Sequence, residues 1–158
     1  MNIQIVFREK DWLKLTGFLV EDKINESGAI AFCKVLTSNR LKRFLVNKVI
    51  KPWSTDYRTR TPGFVGFGPE FMEQCFQYCE QNGLHLIDIH THPFSHDVHF
   101  SAIDDREDSG VKGPHISEYV PGVELLFMVH GLNPEDLDAR MWNKDNNSLE
   151  AINLIKIL

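Results

Sequence analysis

Residues 84–93 of the chain read LHLIDIHTHP, an apolar run that ends in two histidines one residue apart. The run has the length of a strand, and its leucines and isoleucines predict a strand buried in a core. A helix is predicted directly before it, because Pro69 opens an apolar stripe at helical spacing and Asn82-Gly83 supplies a helix stop. Pro93 then ends the strand, since proline cannot donate to a sheet. The stretch therefore predicts a helix followed by a buried strand that presents histidines at its end.

The rest of the chain also mixes stretches typical of strands and of helices. Residues 28–36 form a nearly unbroken apolar run, and residues 43–50 can pair with it as a hairpin. Residues 51–68 show no periodicity and are interpreted as a surface loop. This mixture predicts the α/β class, with a single mixed β-sheet flanked by helices, in one domain over residues 1–158. The other predicted elements are an opening strand over residues 3–7, helices over residues 10–23 and from Ser101, a strand over residues 123–129, and a closing hairpin of residues 138–142 and 151–158.

Charge and composition argue against several classes of protein. A net charge of −5 argues against a general affinity for nucleic-acid phosphates. No apolar run approaches the ~20 residues that cross a bilayer, and residues 1–7 are too short and polar for a signal peptide. We therefore expect a cytoplasmic protein with no nucleic-acid or membrane partner. The three cysteines, Cys33, Cys75 and Cys79, offer no second pair for a thiolate metal site, and we interpret them as small buried side chains.

Two histidines and one aspartate are spaced for metal binding. His90 and His92 lie two apart on a strand, so their side chains point to the same side, about 6.6 Å apart along the chain. The seven residues between Pro93 and Ser101 can return the chain, which brings Asp104 in from the first turn of a helix. Two imidazoles and one carboxylate leave the fourth tetrahedral position for water, as in catalytic zinc sites. The pattern predicts one zinc ion per chain.

A general base must accompany such a site, because zinc acidifies water but another group has to take the proton. Glu26 lies just before the buried strand that begins at Gly28 and could reach a neighbouring strand end. By spacing alone, Glu21 would serve as well. Ser101-x-x-Asp104 also has an ordinary explanation, since it fits the pattern that caps a helix N-terminus. Taken alone, these two residues favour capping over catalysis.

The combination of residues resembles a known family. His90-Thr91-His92-Pro93, seven residues, Ser101, two residues and Asp104 match the JAMM motif of the MPN/JAB domain metallopeptidases without departure. Residues 26–31 (ESGAIA) resemble the upstream segment of that family, with Ala29 where the family often has glycine. The order of elements agrees over residues 8–130, and the compact chain is similar to the small prokaryotic JAB proteins. The resemblance implies an MPN/JAB domain, which has a cytidine-deaminase-like fold.

The resemblance also implies roles for the motif residues. His90, His92 and Asp104 would ligate zinc, Glu26 would activate the bound water and later protonate the leaving amine, and Ser101 would help hold the developing oxyanion. Members of the family cleave isopeptide or peptide bonds after the C-terminal glycine of ubiquitin or a ubiquitin-like protein. The implied function is therefore a zinc-dependent, deubiquitinase-like isopeptidase or peptidase that removes or processes a ubiquitin-like protein. The implied partners are that protein or its conjugate, and an associated activating enzyme.

Two alternatives stay open at this stage. A JAMM hydrolase could act on a sulfur-carrier or small-molecule conjugate, because the same zinc chemistry serves both. A non-catalytic MPN binding scaffold is the other alternative, although scaffolds of that family typically lack one or more ligands and this chain retains the whole set.

Two other parts of the chain could serve the site. Residues 94–100 or 109–122 could gate the site until a partner arrives. The aromatic and basic side chains of residues 51–68 could bind the tail of a modifier protein, or belong to an ordinary exposed loop.

Three further polar residues near the motif could be either functional or ordinary polar side chains. Asp88 falls on the His90 face of the strand and could orient an imidazole, or be an ordinary strand carboxylate. His96 and His99 lie in the loop after Pro93, and we interpret them as solvated histidines rather than ligands.

Overall fold

The computed structural model describes residues 1–96, 98–133 and 135–158. Strands and helices are mixed along these residues, as predicted. A 3-10 turn spans Ser54–Asp56 and a π-helical stretch spans Asp108–Lys112. The elements in chain order are β1 (Asn2–Phe7), α1 (Glu9–Leu19), β2 (Gly28–Thr37), β3 (Leu41–Ile50), β4 (Tyr57–Thr61), β5 (Phe64–Phe67), α2 (Pro69–Asn82), β6 (His85–Thr91), α3 (Ala102–Glu107), α4 (Gly113–Tyr119), β7 (Leu125–His130), β8 (Leu137–Asn143), β9 (Ser148–Ala151) and β10 (Leu154–Ile157).

One large mixed sheet dominates the described residues, in the order β10-β1-β3-β2-β6-β7-β8-β9. The pairs β10/β1, β1/β3 and β6/β7 are parallel, and the other neighbours are antiparallel. The predicted hairpin of β2 and β3 and the predicted strand β6 are both present, and β6 lies between β2 and β7. The α/β class with a mixed sheet is therefore confirmed.

The apolar strands are explained by helices on both faces of the sheet. On one face, Trp12, Leu15 and Leu19 of α1 pack over inward residues such as Ile87 and Ile89 of β6. On the other face, α2 and α4 cover a second cluster that includes Leu86, Phe127 and Trp142. Because β6 is covered on both sides, it has buried apolar residues on both faces, Leu86 on one and Ile87 and Ile89 on the other. This is the pattern that identified it as a buried strand.

The C-terminal residues differ from the prediction of a single closing hairpin. Strand β9 pairs with β8 and ends at Ala151, whereas β10 pairs in parallel with β1 at the other end of the strand order. The chain crosses from β8 to β1 through the two residues between β9 and β10. The Ile152 N–H donates to the Ala139 carbonyl (3.1 Å) and the Asn153 N–H donates to the Ile3 carbonyl (3.0 Å). The Asn153 side chain accepts the Ile3 N–H at 2.8 Å, so the sheet curls until its two ends meet.

Two other predicted boundaries were wrong. The helix predicted over residues 10–23 ends at Leu19, because the Asp22 carboxylate accepts the N–H groups of Ile24 and Asn25 (both 2.9 Å) and forms a turn. Residues 51–68 contain the two-stranded sheet of β4 and β5 rather than only a loop. Thr61 Oγ1 accepts the Phe64 N–H (3.1 Å) across the turn of this hairpin. No helix within the described ranges is long and apolar enough to cross a membrane.

Candidate metal site

The site forms where the C-terminal end of β6 meets the start of β2. These strands are antiparallel, and their register places Gly28 opposite His90. The pairing continues beyond the strands, since the Ser27 N–H donates to Thr91 Oγ1 (2.8 Å) and the Thr91 N–H donates to the Ser27 carbonyl (2.9 Å). Glu26, the residue before Ser27, is thereby held beside the two histidines.

The four motif side chains converge on one small volume. Asp104 Oδ2 lies 3.3 Å from His90 Nε2 and 3.8 Å from His92 Nε2, and Glu26 Oε2 lies 3.9 Å from His92 Nε2. Potential ligand atoms of Glu26, His90 and His92 all lie within 4.8 Å of one another. Ligands at zinc distances of ~2.0–2.1 Å in a tetrahedron are separated by ~3.3 Å. The group could therefore hold a metal ion, and the separation of Asp104 from His90 matches that of two zinc ligands.

Two buried polar atoms in this group need a partner. Glu26 is 4% exposed, and the side chains of His90 and His92 are 12% exposed. Glu26 Oε1 and His90 Nε2 form no hydrogen bond with any residue that the structure describes. Burying such atoms without a partner costs about 1–3 kcal/mol each. A cation between them would satisfy both atoms. The residues present therefore fit a metal ion.

Ser101 and Asp104 combine capping with a position in the site. The Ser101 N–H donates to Asp104 Oδ2 (2.8 Å) and the Asp104 N–H donates to Ser101 Oγ (3.1 Å), which is a complete capping box at the start of α3. The same Oδ2 atom faces both imidazoles. Capping and metal binding were alternative interpretations of Ser101 and Asp104. In the structure the two are compatible, because the capping box holds the Asp104 carboxylate next to the histidines.

The two acidic groups of the site have opposite pKa shifts. Burial raises the pKa of Glu26 to about 7, although the adjacent His90 and His92 act in the other direction. Burial also disfavours the ionised form of Asp104, but the adjacent imidazoles and the Ser101 N–H outweigh it and hold the pKa of Asp104 well below its ordinary value. Asp104 is therefore an anion at neutral pH, which is the form that a carboxylate needs in order to bind a metal.

Glu26, and not Glu21, is the glutamate of the site. The Glu21 side chain is 55% exposed and pairs with Lys51 at 2.6 Å. The main chain of Glu26 is fixed by Arg60 of β4, whose Nε donates to the Glu26 carbonyl (3.1 Å) and whose Nη2 donates to Ser27 Oγ (2.7 Å). Tyr57 of the same strand bonds to Gly28 through its hydroxyl (3.2 Å). The β4–β5 hairpin thus supports the segment that carries Glu26.

A cleft adjoins this segment on the side of the hairpin. Its volume is about 550 Å³, and its lining includes Ser27 and Gly28 together with Trp53, Tyr57 and Arg60. Trp53 is 80% exposed. The aromatic and basic side chains of residues 51–68 therefore have different environments. Arg60 and Tyr57 form hydrogen bonds with the main chain near the site, and Trp53 is exposed to solvent.

The remaining polar candidates lie outside the group. Asp88 accepts a hydrogen bond from Lys112 Nζ (2.8 Å) and so has an ammonium partner rather than an imidazole. His96 pairs with Asp136 at 2.9 Å with a 64% exposed side chain, and His99 is exposed. All three cysteines are buried, as expected.

Of the two segments considered as a gate, one is largely helical and the other is described only in part. Residues 109–119 are helical, through the π-helical stretch and α4. The loop at 94–100 includes Asp97, which lies outside the described residues.

The supporting roles of several residues were not predicted from the sequence. Thr91, Arg60 and Arg140 all contact the segments that carry the motif. Thr91 could have been noticed, because a polar residue between two histidines faces the opposite side of the strand. Arg60 was considered only as one of the basic side chains of residues 51–68 that could bind the tail of a modifier protein. Arg140 comes from a distant strand and gave no local signal. Arg140 belongs to β8, and its guanidinium lies 3.8 Å over the Phe100 ring.

No protein-family model matches the chain, and no curated protein matches its sequence.

Proposed function

We propose that the chain is a zinc-dependent JAMM-type metallopeptidase of the MPN/JAB fold that removes or processes a ubiquitin-like protein. One observation carries the proposal: Glu26, His90, His92 and Asp104 come from three separate segments and meet in one buried group. Within that group, Glu26 Oε1 and His90 Nε2 form no hydrogen bond with the described residues. Side chains kept buried and unsatisfied in this way indicate a bound cation rather than a structural network.

The donor set favours zinc over other ions. Two imidazole nitrogens and one carboxylate oxygen are ligands that zinc prefers, and a three-residue set leaves one position open. In this proposal His90, His92 and Asp104 hold the ion, because Asp104 Oδ2 adjoins both imidazoles. When bound, zinc would supply a Lewis acid that lowers the pKa of water and polarises a carbonyl.

Glu26 and Ser101 would handle the proton and the developing charge. Glu26 lies beside His92 with one carboxylate oxygen at 3.9 Å and the other buried and unbonded within the described chain. It can take the proton of the attacking water and return it to the leaving amine. Ser101 Oγ accepts the Asp104 N–H, so its own hydroxyl hydrogen can donate to the oxyanion of the tetrahedral intermediate.

The cleft beside Ser27 and Gly28 is the proposed entry for the tail of the modifier. It begins one residue from Glu26, and its side chains include Trp53, Tyr57 and Arg60. Tyrosine, tryptophan and arginine are the usual anchors of protein interfaces. An extended tail rich in glycine could lie against this cleft and bring its terminal carbonyl to the site.

Metal content and cleavage test the proposal together. Elemental analysis should find about one zinc per chain in the wild type and much less in His92→Ala, because one ligand is lost. The cleavage assay uses fusions of ubiquitin-like proteins to a reporter at their C-terminal glycine. The matched variant is Glu26→Gln, which has nearly the same shape and should keep the metal but lose turnover by at least about 100-fold.

Each failure has a distinct meaning. Equal and negligible zinc in the wild type and His92→Ala would refute the metal site and favour the binding scaffold. Zinc without cleavage of any modifier fusion would favour a hydrolase of sulfur-carrier or small-molecule conjugates. Full turnover in Glu26→Gln would remove Glu26 from the mechanism.

A further inference from the structure

The helix that carries Asp104 has no apolar anchor. Asp104 is the only buried residue of α3, and Ile103 beside it is 38% exposed. A surface helix is normally held by an apolar stripe. The helical segment continues from α3 through the π-helical stretch into α4, whose Ile116 is buried, but α3 itself has no such stripe. Polar contacts must therefore fix the N-terminal part of this segment, and with it the carboxylate that faces the two histidines.

Ion pairs to strand β8 supply those contacts. Arg140 Nη1 lies 2.6 Å from Asp105 Oδ1, and Arg140 Nη2 lies 2.8 Å from Asp108 Oδ2. Asp105 follows Asp104 directly, and Asp108 lies one turn further along the helical segment. Asp108 is 3% exposed and the Arg140 side chain is 13% exposed, so these charges are largely removed from water. One guanidinium thus contacts Asp105 of α3 and Asp108, the first residue of the π-helical stretch that follows.

The same guanidinium also reaches the other side of the site. Its central carbon lies 3.8 Å from the centre of the Phe100 ring, and that ring packs edge-on to the His90 imidazole with centroids 6.1 Å apart. A cation over an aromatic face is attracted to it, and Phe100 is held in place between the two. Arg140 therefore contacts the supports of two proposed ligands, His90 and Asp104, without touching either.

We propose that Arg140 is a positioning residue of the metal site, which sets the geometry of Asp104 through Asp105 and Asp108 and that of His90 through Phe100. This inference rests on the proposed metal site. The planar guanidinium suits the role because it can bond two carboxylates in its plane while its face lies on a ring. A lysine has a single point charge and could not make all three contacts at once.

The test measures metal affinity, which does not depend on knowing the substrate. Cobalt(II) is titrated into the metal-free protein at fixed pH, and its visible absorption reports both occupancy and coordination geometry. Arg140→Gln should weaken binding by about 10–100-fold, as is typical for residues that orient metal ligands. Arg140→Lys should stay weaker than the wild type and show an altered spectrum even where its melting temperature is close to that of the wild type.

Two further variants separate positioning from general stability. Lys42→Gln breaks a partly buried ion pair at the other end of β6 (Lys42–Glu124, 2.9 Å, side chains 21% and 24% exposed) and should leave cobalt affinity and spectrum unchanged. Asp105→Asn removes one arm of the Arg140 contact at a side chain that is 57% exposed, so the fold should tolerate it. It should still weaken cobalt binding measurably, and it carries the test if Arg140→Gln does not fold.

The outcomes are distinguishable. Cobalt binding as tight as in the wild type, with the same spectrum, in Arg140→Gln or in a folded Asp105→Asn would overturn the inference and leave the proposed function intact. Affinity that simply follows melting temperature across all four variants, Lys42→Gln included, would also overturn it. A wild type that binds neither zinc nor cobalt would overturn both the inference and the metal site.

Discussion

Gly113, the first residue of α4, lies directly against the indole ring of Trp142. A Cβ atom added at Gly113 would lie 2.5 Å from Trp142 Cε3 and 2.7 Å from Cε2. Carbon atoms in contact are about 3.5–4.0 Å apart, so Gly113→Ala requires a movement of about 1 Å. The ring cannot move freely, because Trp142 is 1% exposed and its Nε1–H donates to Ser117 Oγ of the same helix (2.8 Å).

The expected cost follows from two opposing effects. Overpacking a buried contact costs about 1–3 kcal/mol. Gly113 has ordinary helical dihedrals (φ −60°, ψ −53°), so alanine would return up to about 1 kcal/mol through its higher helix propensity. A net loss of about 1–2 kcal/mol lowers the melting temperature of a domain of this size by about 2–8 °C.

Thermal unfolding followed by circular dichroism measures this change, and Gly110→Ala is the matched control. Gly110 lies in the preceding π-helical stretch, and a Cβ added there meets nothing within 4 Å. Gly110→Ala should therefore be neutral or slightly stabilising. A Gly113→Ala protein that melts at or above the wild type would refute the argument from close approach. Adding Trp142→Phe should relieve part of the loss, since residues in contact are energetically coupled.

Three other predictions concern the metal, pH and thiols. Free zinc at 100 times its dissociation constant stabilises the folded state by about 2.7 kcal/mol, so a chelator should lower the melting temperature of the wild type by about 5–11 °C and leave His92→Ala unchanged. Burial lowers the pKa of His85, whose Nδ1 accepts the Glu124 N–H (2.9 Å). The unfolded chain then binds more protons below pH ~6.5, and urea midpoints should fall as pH drops from 7 to 5, less steeply in His85→Gln. Burial raises the pKa of Cys75 and Cys79 to about 12, so a disulfide reagent should modify no thiol in the native protein and three after denaturation.

The part of the candidate site that lies within one short segment could be predicted from the sequence. His90 and His92 had to share a face because strand side chains alternate. The Ser101-x-x-Asp104 pattern predicted a cap at a helix start, and the two residues form one capping box in the structure. Their meeting with the histidines was predicted from the seven-residue spacer, and the separation of 3.3 Å between Asp104 and His90 agrees with that prediction.

The choice between Glu21 and Glu26 needed the tertiary structure. Both glutamates lie shortly before β2, and spacing along the chain cannot separate them. The pairing of Ser27 with Thr91 places Glu26 beside the histidines, whereas the turn after α1 leaves Glu21 with Lys51. The difference arises from hydrogen bonds between residues 64 positions apart, which leave no trace in local periodicity.

The sequence by itself determined the α/β class, the buried strands and the spacing of His90, His92 and Asp104, because apolar periodicity and ligand spacing act over a few residues. Only the tertiary structure decided that β10 leaves β9 to pair with β1, that β4 supports Glu26, and that Arg140 holds the helix of Asp104. Each of these depends on which distant segments become neighbours. That choice is made by the packing of the whole sheet and its helices, through contacts that no local stretch of sequence encodes.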